Sequence, residues 1–384
     1  MSVDEVDLAI DRELAELCGR LPLLHLLTPV NVTETRHNFL EGATDEPEFR
    51  YRELPDLDAI SDELAAITPE TATDPILGHL IRDMQQELQR RVELLRDRNT
   101  ERFLMAAVET YGLVDQGLLD LAYRILDTVE PGPATSPRLT ATQVAERARL
   151  ELSHYRTQFE ELSARVNVSA TAAGVMVENG DLYIGADTTV SVTRIEQLIQ
   201  HEVGVHVLTY VNGSAQPIRM LAAGLAGYEA TQEALGVLAE HLTGGLTPGR
   251  LRVLALRVLA AHSVTEHASF SETFKLLTDQ RAGRYLAFMT SMRAHRSGGM
   301  TKDALYLAGL TKLLEHLREG GDLKPLFVGK ISLAYEPLIA ELLSRGVLVE
   351  PPLVPRFLAA ESAVERLGRI RNGEDIFELG GVTV

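Results

Sequence analysis

The order of apolar and polar positions predicts a chain that begins with several helices. Before residue 164, apolar residues recur at helical spacing in segments rich in Leu, Gln, Glu and Arg, at about 76–98, 101–111, 117–129 and 142–162. A cluster rich in proline and glycine, residues 130–137, separates the last two segments and predicts a break there. These patterns predict an N-terminal helical region over residues 1–164.

The pattern changes to short alternating runs after residue 165. Residues 166–169 alternate, and the apolar runs 175–177 and 182–184 flank Asn179-Gly180. Asn-Gly between two apolar runs is a strong signal for a β-hairpin, because its turn needs residues that tolerate positive φ. We therefore expect a small sheet at the start of a second region, residues 165–384. The fold class predicted is α+β, mainly α.

The helix predicted after this sheet carries an acidic side chain on its apolar face. Residues 195, 198, 199 and 202 fall at positions i, i+3, i+4 and i+7, and the last of them is Glu202. A carboxylate on an inward face is costly unless something compensates it. This placement favours a functional role for Glu202.

Composition and charge exclude several classes of protein. The 384 residues are 45% hydrophobic and 24% charged, which is enough for a large core. A net charge of -18 argues against general binding to nucleic acid or anionic membranes. The single cysteine, Cys18, excludes an internal disulfide framework, and the apolar runs are too short for a membrane span. Because the N-terminus also lacks a basic signal region, we expect a cytoplasmic protein.

Two histidines and two glutamates provide the residue types of a catalytic zinc site. His201, Glu202 and His206 lie within six positions, and Glu233 follows on the next predicted helix. Zinc binds imidazole nitrogens and carboxylate oxygens, and a catalytic site leaves one position open for water. A carboxylate beside the first histidine can take a proton from that water. The pattern predicts a zinc-dependent hydrolase, although it can also arise by chance.

The spacing of the two histidines requires a distorted helix. Residues five positions apart point about 140° from each other on a regular α-helix, so one ion could not easily bind both. One extra residue accommodated as a π-bulge restores the alignment. We therefore predict a local distortion at Val203–Val205, where Gly204 offers a permissive backbone.

The third ligand has competitors on its own helix. Glu229 lies one turn before Glu233, and Glu240 lies two turns after it, about 10 Å along the axis. All three cannot bind one ion, so we expect one to bind it and another to orient a histidine. The residues alone do not decide which.

A basic segment in the C-terminal half is a candidate for substrate binding. Arg293, Arg296 and Lys302 could bind a carboxylate, as a carboxypeptidase requires, or could form a solvated basic loop. Tyr306 follows Lys302 by one helical turn and could polarise a developing oxyanion, with Tyr228 as a second candidate. The alternative for each tyrosine is a place in the core.

Residues 201–240 and two later segments resemble the QEGLA-motif family. The first block contains Asn212-Gly213, Gln216-Pro217 and Gln232-Glu233-Ala234-Leu235, and the later segments are residues 293–299 and 301–307. Bacterial members are often described as modulators of flavohaemoglobin expression. Eukaryotic relatives are the microtubule-associated tyrosine carboxypeptidases, which remove the C-terminal tyrosine of α-tubulin. The family carries His-Glu-x-x-x-His, which is the spacing present here.

This resemblance implies roles for the candidate residues. It implies a zincin-like metallopeptidase core in which His201, His206 and Glu233 hold Zn²⁺ and Glu202 is the general base. It favours a carboxylate pocket in the basic segment, and a peptide or protein C-terminus as the substrate, with an aromatic last residue as a candidate. One departure is Gln-Glu-Ala-Leu-Gly in place of Gln-Glu-Gly-Leu-Ala, which affects helix packing more than ligation.

Two other functions compete with a metallocarboxypeptidase. A non-catalytic zinc-binding regulatory protein could affect the expression or assembly of a partner, but a retained Glu202 would then have no use. The same site could also hydrolyse an amide that is not a peptide.

Overall fold

The computed structural model describes residues 3–132, 137–170, 172 and 174–381. The α-helices of this part of the chain are α1 (Glu5–Gly19), α2 (Leu23–Leu27), α3 (Val32–Leu40), α4 (Leu57–Ala66), α5 (Pro75–Arg96), α6 (Phe103–Tyr111), α7 (Gln116–Thr128), α8 (Ala141–Arg156), α9 (Ile195–His201), α10 (Leu208–Ser214), α11 (Met220–Ala223), α12 (Tyr228–Gly244), α13 (Pro248–Thr265), α14 (Phe270–Asp279), α15 (Arg284–His295), α16 (Leu305–Arg318), α17 (Glu336–Ser344), α18 (Glu361–Arg371) and α19 (Ile376–Leu379). Short 3₁₀ turns cover Pro69–Thr71, Val192–Arg194, Arg296–Gly298, Lys302–Ala304, Lys324–Phe327, Leu333–Tyr335 and Arg356–Ala359.

The predicted N-terminal helices are present with small changes at their ends. Helix α5 starts behind Asp74, whose side chain accepts hydrogen bonds from the first free backbone N–H groups. Helix α8 ends six residues before the predicted limit, because the chain turns at Tyr155, whose carbonyl accepts from two following N–H groups. The predicted break after α7 is confirmed at its two ends, and residues 133–136 of that cluster lie outside the described residues.

The β region contains the predicted hairpin. Its strands are β1 (Arg138–Thr140), β2 (Val166–Ser169), β3 (Val175–Glu178), β4 (Asp181–Gly185) and β5 (Thr189–Ser191). Strands β3 and β4 pair antiparallel, and Asn179 and Gly180 between them have φ of 49° and 81°. Strand β2 pairs parallel with β4, so the order is β2-β4-β3 and β3 is an edge strand of this sheet. Strands β1 and β5 form a separate antiparallel pair.

Helix α12 lies at the centre of the molecule. It packs against α9, α16 and α18, and most of its residues are buried on every side. The largest apolar core joins the N-terminal helices to residues 205–379, and a second core lies between α8, the three-stranded sheet and α9. The largest core therefore contains residues from both sides of the predicted domain boundary between residues 164 and 165. That boundary stays a prediction.

The helical character of the described residues confirms a mainly α, α+β chain. Among these helices, none combines the length and the apolar character that a bilayer crossing requires.

Candidate metal centre

The helix that carries the two histidines contains a π-helical segment. Glu202–Val207 is π-helical, and it continues α9 directly into α10. The distortion predicted for Val203–Val205 is therefore confirmed. Gly204 serves this segment by its small size and not by an unusual φ: a Cβ there would lie 2.6 Å from Gln200 Oε1 and 3.2 Å from the ring of Phe357.

Three potential ligand atoms converge beside the π-helical segment. Side-chain atoms of His201, His206 and Glu233 lie within 4.8 Å of one another. The Nε2 atoms of His201 and His206 are 3.6 Å and 3.8 Å from Glu233 Oε2. That oxygen is buried and has no hydrogen-bond partner among the described residues. Since an orphaned buried carboxylate oxygen is costly, its position between two imidazoles fits a bound cation.

Glu240 orients the first histidine and does not join the cluster. Its Oε1 accepts a hydrogen bond from His201 Nδ1 at 2.9 Å, which leaves Nε2 facing Glu233. Arg250 and Arg194 bind the same carboxylate at 2.9 Å and 3.0 Å. Burial would raise the pKa of Glu240, but these charges hold it below its usual value. Of the two alternatives that the sequence left open for Glu240, this contact favours the orientation of His201.

His206 is also oriented by a side chain, through a longer contact. His206 Nδ1 lies 3.4 Å from Gln232 Oε1, and the Thr209 hydroxyl donates to that oxygen at 2.8 Å. The Nε2 atom is again directed towards Glu233. Both imidazoles therefore have one nitrogen fixed by the protein and the other available, the usual arrangement of metal-binding histidines.

Glu229 forms an ion pair with an arginine. Its Oε1 lies 3.4 Å from Arg91, which also binds Glu87 at 3.0 Å. Glu229 lies outside the ligand cluster. Glu229, the alternative ligand one turn before Glu233, thus belongs to a buried ion-pair network with α5.

Glu202 is buried, as the apolar-face pattern predicted, and it lies beside the cluster. Its side chain is buried, lines the same cleft as the ligand atoms, and makes no hydrogen bond within the described part of the chain. Burial raises the pKa of Glu202 to about 7. A carboxyl group with such a pKa can both accept and return a proton near neutral pH.

The cluster opens into a cleft of about 270 Å³. One wall is the edge strand β3, and another is the end of α1 with the following turn and α2. Helices α5 and α6 contribute Arg91 and Tyr111. The N-terminal helices therefore form part of the cleft itself.

The three predicted substrate-binding cations all line this cleft, but their surroundings differ. Arg293 donates two hydrogen bonds to Asp303, and Lys302 Nζ lies 3.7 Å from Glu233 Oε1. Arg296 is buried and donates from Nε to Met300 Sδ at 3.1 Å, with no acidic group within 4.0 Å among the described residues. Of the three, Arg296 has the least compensated charge.

Both candidate tyrosines also line the cleft. Tyr306 lies in the first turn of α16 with the Arg257 guanidinium 4.4 Å above its ring. Tyr228 begins α12 and lies between Arg91 and Lys330, whose charges are 5.9 Å and 5.8 Å from its ring centre. Burial raises the pKa of both hydroxyl groups, so both are proton donors at neutral pH.

Tyr111 and Lys330 are among the cleft residues that the sequence did not predict. Tyr111 ends α6, and Lys330 lies near Tyr210 and Tyr228 with its pKa lowered to about 8 by burial. Both are far from the metal motif in sequence, and neither belongs to a motif of its own. No local signal could have placed them in the cleft.

The exchanged glycine of α12, Gly236, makes room for the His201 ring. A Cβ on Gly236 would lie 2.5 Å from His201 Cε1 and 2.6 Å from its Nδ1. On the opposite face, the Ala234 Cβ lies 3.3 Å from where a Cβ on Gly309 would be, so α12 fits closely against α16. The order Ala234-Leu235-Gly236 therefore allows α12 to pack close to His201.

We expect Gly236→Ala to lower metal affinity by about 10-fold or more, because His201 must move away from Glu240. Competition with a chromophoric chelator measures the affinity. The substitution favours an isolated helix by about 1 kcal/mol, so a weaker metal site with no loss of melting temperature separates the local effect from unfolding.

The double variant Ala234→Gly/Gly236→Ala is the matched control. Removing the Ala234 methyl group frees α12 to move towards α16, and we expect part of the affinity to return. Unchanged metal binding in the single variant would show that the His201 ring is not held against Gly236.

Comparison with known proteins gives one match. The family model described as microtubule-associated tyrosine carboxypeptidase matches residues 37–375. No curated protein and no solved structure matches the chain. The matched range includes every predicted site residue.

Proposed function

The chain belongs to the microtubule-associated tyrosine carboxypeptidase family, and on this basis we propose that it is a zinc-dependent metallocarboxypeptidase. Its substrate would be the C-terminus of a protein or peptide. We also propose that it belongs to the QEGLA-motif branch and has a zincin-like core. The observation that carries the proposal is Glu233 Oε2, which lies between two imidazole nitrogens and has no hydrogen-bond partner in the described part of the chain, with Glu202 in the same cleft.

The donor set suits zinc. Two imidazole nitrogens and one carboxylate oxygen form a typical catalytic set, which leaves a fourth position open. Ligands at about 2.0–2.1 Å from one ion in tetrahedral geometry stand about 3.3 Å apart. The separations of 3.6 Å and 3.8 Å from Glu233 Oε2 need only small side-chain movements to reach that value. When bound, zinc would polarise the scissile carbonyl and acidify a water molecule.

The chain's own groups would perform the proton transfers. Glu202 would accept the proton of the attacking water and pass it to the nitrogen of the leaving residue as the C–N bond breaks. The Tyr306 hydroxyl would donate to the oxygen on which negative charge develops. Lys302 would hold Glu233 Oε1, so that Oε2 faces the histidines. The edge strand β3 would bind the substrate backbone as an added strand.

The terminal carboxylate of the substrate would lie on the side of Arg293 and Arg296. Asp303 fixes the Arg293 guanidinium through two hydrogen bonds, while Arg296 has no carboxylate partner among the residues that the structure describes. An uncompensated guanidinium in a cleft favours an anionic ligand. This charge distribution favours removal of the last residue over cleavage inside a chain.

A matched pair of peptide libraries tests this function. Peptides that vary in the last residue are incubated with the zinc-loaded protein, once as free acids and once as C-terminal amides, and products are identified by mass spectrometry. We expect loss of single terminal residues from the acids, at a rate at least about 100-fold above that of the amides, because charge-assisted hydrogen bonds are lost. Internal cleavage would contradict the carboxypeptidase assignment, and an absence of cleavage would favour a regulatory zinc-binding protein.

A further inference from the structure

Tyr111 has a buried hydroxyl group. The side chain ends α6, is 9% exposed, and lines the cleft. Its hydroxyl oxygen is buried and forms no hydrogen bond among the described residues. Leaving such a group unpaired costs free energy, and native structures rarely do so without a reason.

The segment that carries Arg296 is packed against the helix that carries Tyr111. The Thr301 hydroxyl donates to the carbonyl of Ala107 in α6 at 3.4 Å. Gly298 and Gly299 have φ of 114° and 117°, and a Cβ on either would meet side chains of α6. The absence of side chains at these two positions therefore allows the segment to lie on α6, with Arg296 and Tyr111 facing the same cleft.

The charges around Tyr111 are arranged for an anionic ligand. Arg91 and Arg296 are the cations that interact electrostatically with Tyr111, and of these two Arg296 has no acidic group within 4.0 Å in the described ranges. Glu229 and Glu87 are the acidic neighbours of Tyr111, and Arg91 pairs with both, at 3.4 Å and 3.0 Å. Burial raises the pKa of Tyr111 well above its ordinary value, so its hydroxyl keeps a proton to donate.

We infer that Tyr111 and Arg296 together bind one carboxylate, the terminal carboxylate of the substrate. A guanidinium supplies two parallel N–H groups and the phenol one O–H, while a carboxylate has about four acceptor positions. The inference rests on the proposed function and adds to it a substrate-binding residue from the N-terminal helices. In this arrangement α6 closes the end of the cleft that receives the last residue of the substrate.

Direct binding of a product-like ligand tests this role without turnover. The ligands are phenylalanine, the kind of product that the reaction would release, and phenylalaninamide, and calorimetry gives the dissociation constant of each with the zinc-loaded protein. We expect Tyr111→Phe to weaken binding of the acid by about 10-fold or more and to leave binding of the amide unchanged within about twofold. The melting temperature should stay the same or rise, because the lost hydroxyl has no partner.

Tyr155→Phe is the matched control. Tyr155 is also buried, but its hydroxyl accepts a hydrogen bond from the backbone of Arg356 outside the cleft. This variant should bind both ligands like the parent. Equal effects of Tyr111→Phe on acid and amide, or no effect on either, would overturn the inference. Failure of the parent to cleave any peptide would instead reject the proposed function, since the binding measurement does not depend on cleavage.

Discussion

Replacing Glu202 with glutamine is expected to lower kcat for peptide hydrolysis by about 10²–10⁴-fold while the metal content stays at the parental value. The amide has nearly the shape of the carboxylate but cannot accept a proton from water. Because the side chain lies outside the ligand cluster, its replacement leaves His201, His206 and Glu233 in place. Steady-state kinetics with a free-acid peptide and metal analysis of the same sample measure both quantities.

The same substitution should not destabilise the metal-free fold at neutral pH. Burial raises the pKa of Glu202 to about 7, so the folded state binds a proton more tightly than the unfolded state does. Ionisation of this carboxyl group therefore lowers the free energy of unfolding as the pH rises from the pKa of the unfolded state, near 4.3, through 7. Glutamine does not ionise, so the variant does not lose this stability. Below pH 4 the difference should vanish.

Glu196→Gln is a suitable control for Glu202→Gln. Glu196 lies on the same helix, and its side chain is exposed near Arg356, outside the cleft. We expect parental kcat from this variant. Parental kcat in Glu202→Gln as well would remove the general base from the mechanism and leave a site that binds metal with another purpose.

Replacing His201 with alanine is expected to abolish metal binding and reduce hydrolysis to background. Two protein ligands would remain, and zinc sites in catalytic proteins use three. The variant should still fold, because Glu240 keeps its ion pairs with Arg250 and Arg194 and no buried charge loses its last partner. Elemental analysis after dialysis, together with far-ultraviolet circular dichroism, measures both outcomes.

His241→Ala removes a buried imidazole from the same region without touching the cluster. His241 follows Glu240 on α12, and its ring lies 3.9 Å from Glu374 on the side of α18 and α19. This variant should retain one metal ion per chain. A His201→Ala protein that retained its metal, or a His241→Ala protein that lost it, would place the ion elsewhere.

Features set by neighbouring residues could be predicted from the sequence. The main helices, the hairpin at Asn179-Gly180 and the break after α7 follow from spacing and turn chemistry, and the structure has them. The π-helical segment was predictable because two ligands five positions apart cannot share an ion on a regular helix. The burial of Glu202 followed from its place on an apolar stripe.

Only the tertiary structure separated side chains of the same chemical type. Three glutamates of α12 look alike in sequence, yet Arg91 binds Glu229 and two arginines bind Glu240, while one oxygen of Glu233 has no hydrogen-bond partner among the described residues. In the same way Arg293 is held by Asp303, while Arg296 is not paired with an acid within the described ranges. These differences depend on partners distant along the chain, and spacing within a helix carries no information about them.

The sequence by itself determined the local backbone and the residue types at the candidate site, since both depend on interactions over a few residues. Folding decided that α1, α2, α5 and α6 form walls of the cleft and that Tyr111 lies in it. It also decided that Gly236 lies against His201. The physical reason is that burial of apolar surface brings distant helices together without a specific sequence signal, and charges and hydrogen bonds then depend on where that packing leaves them.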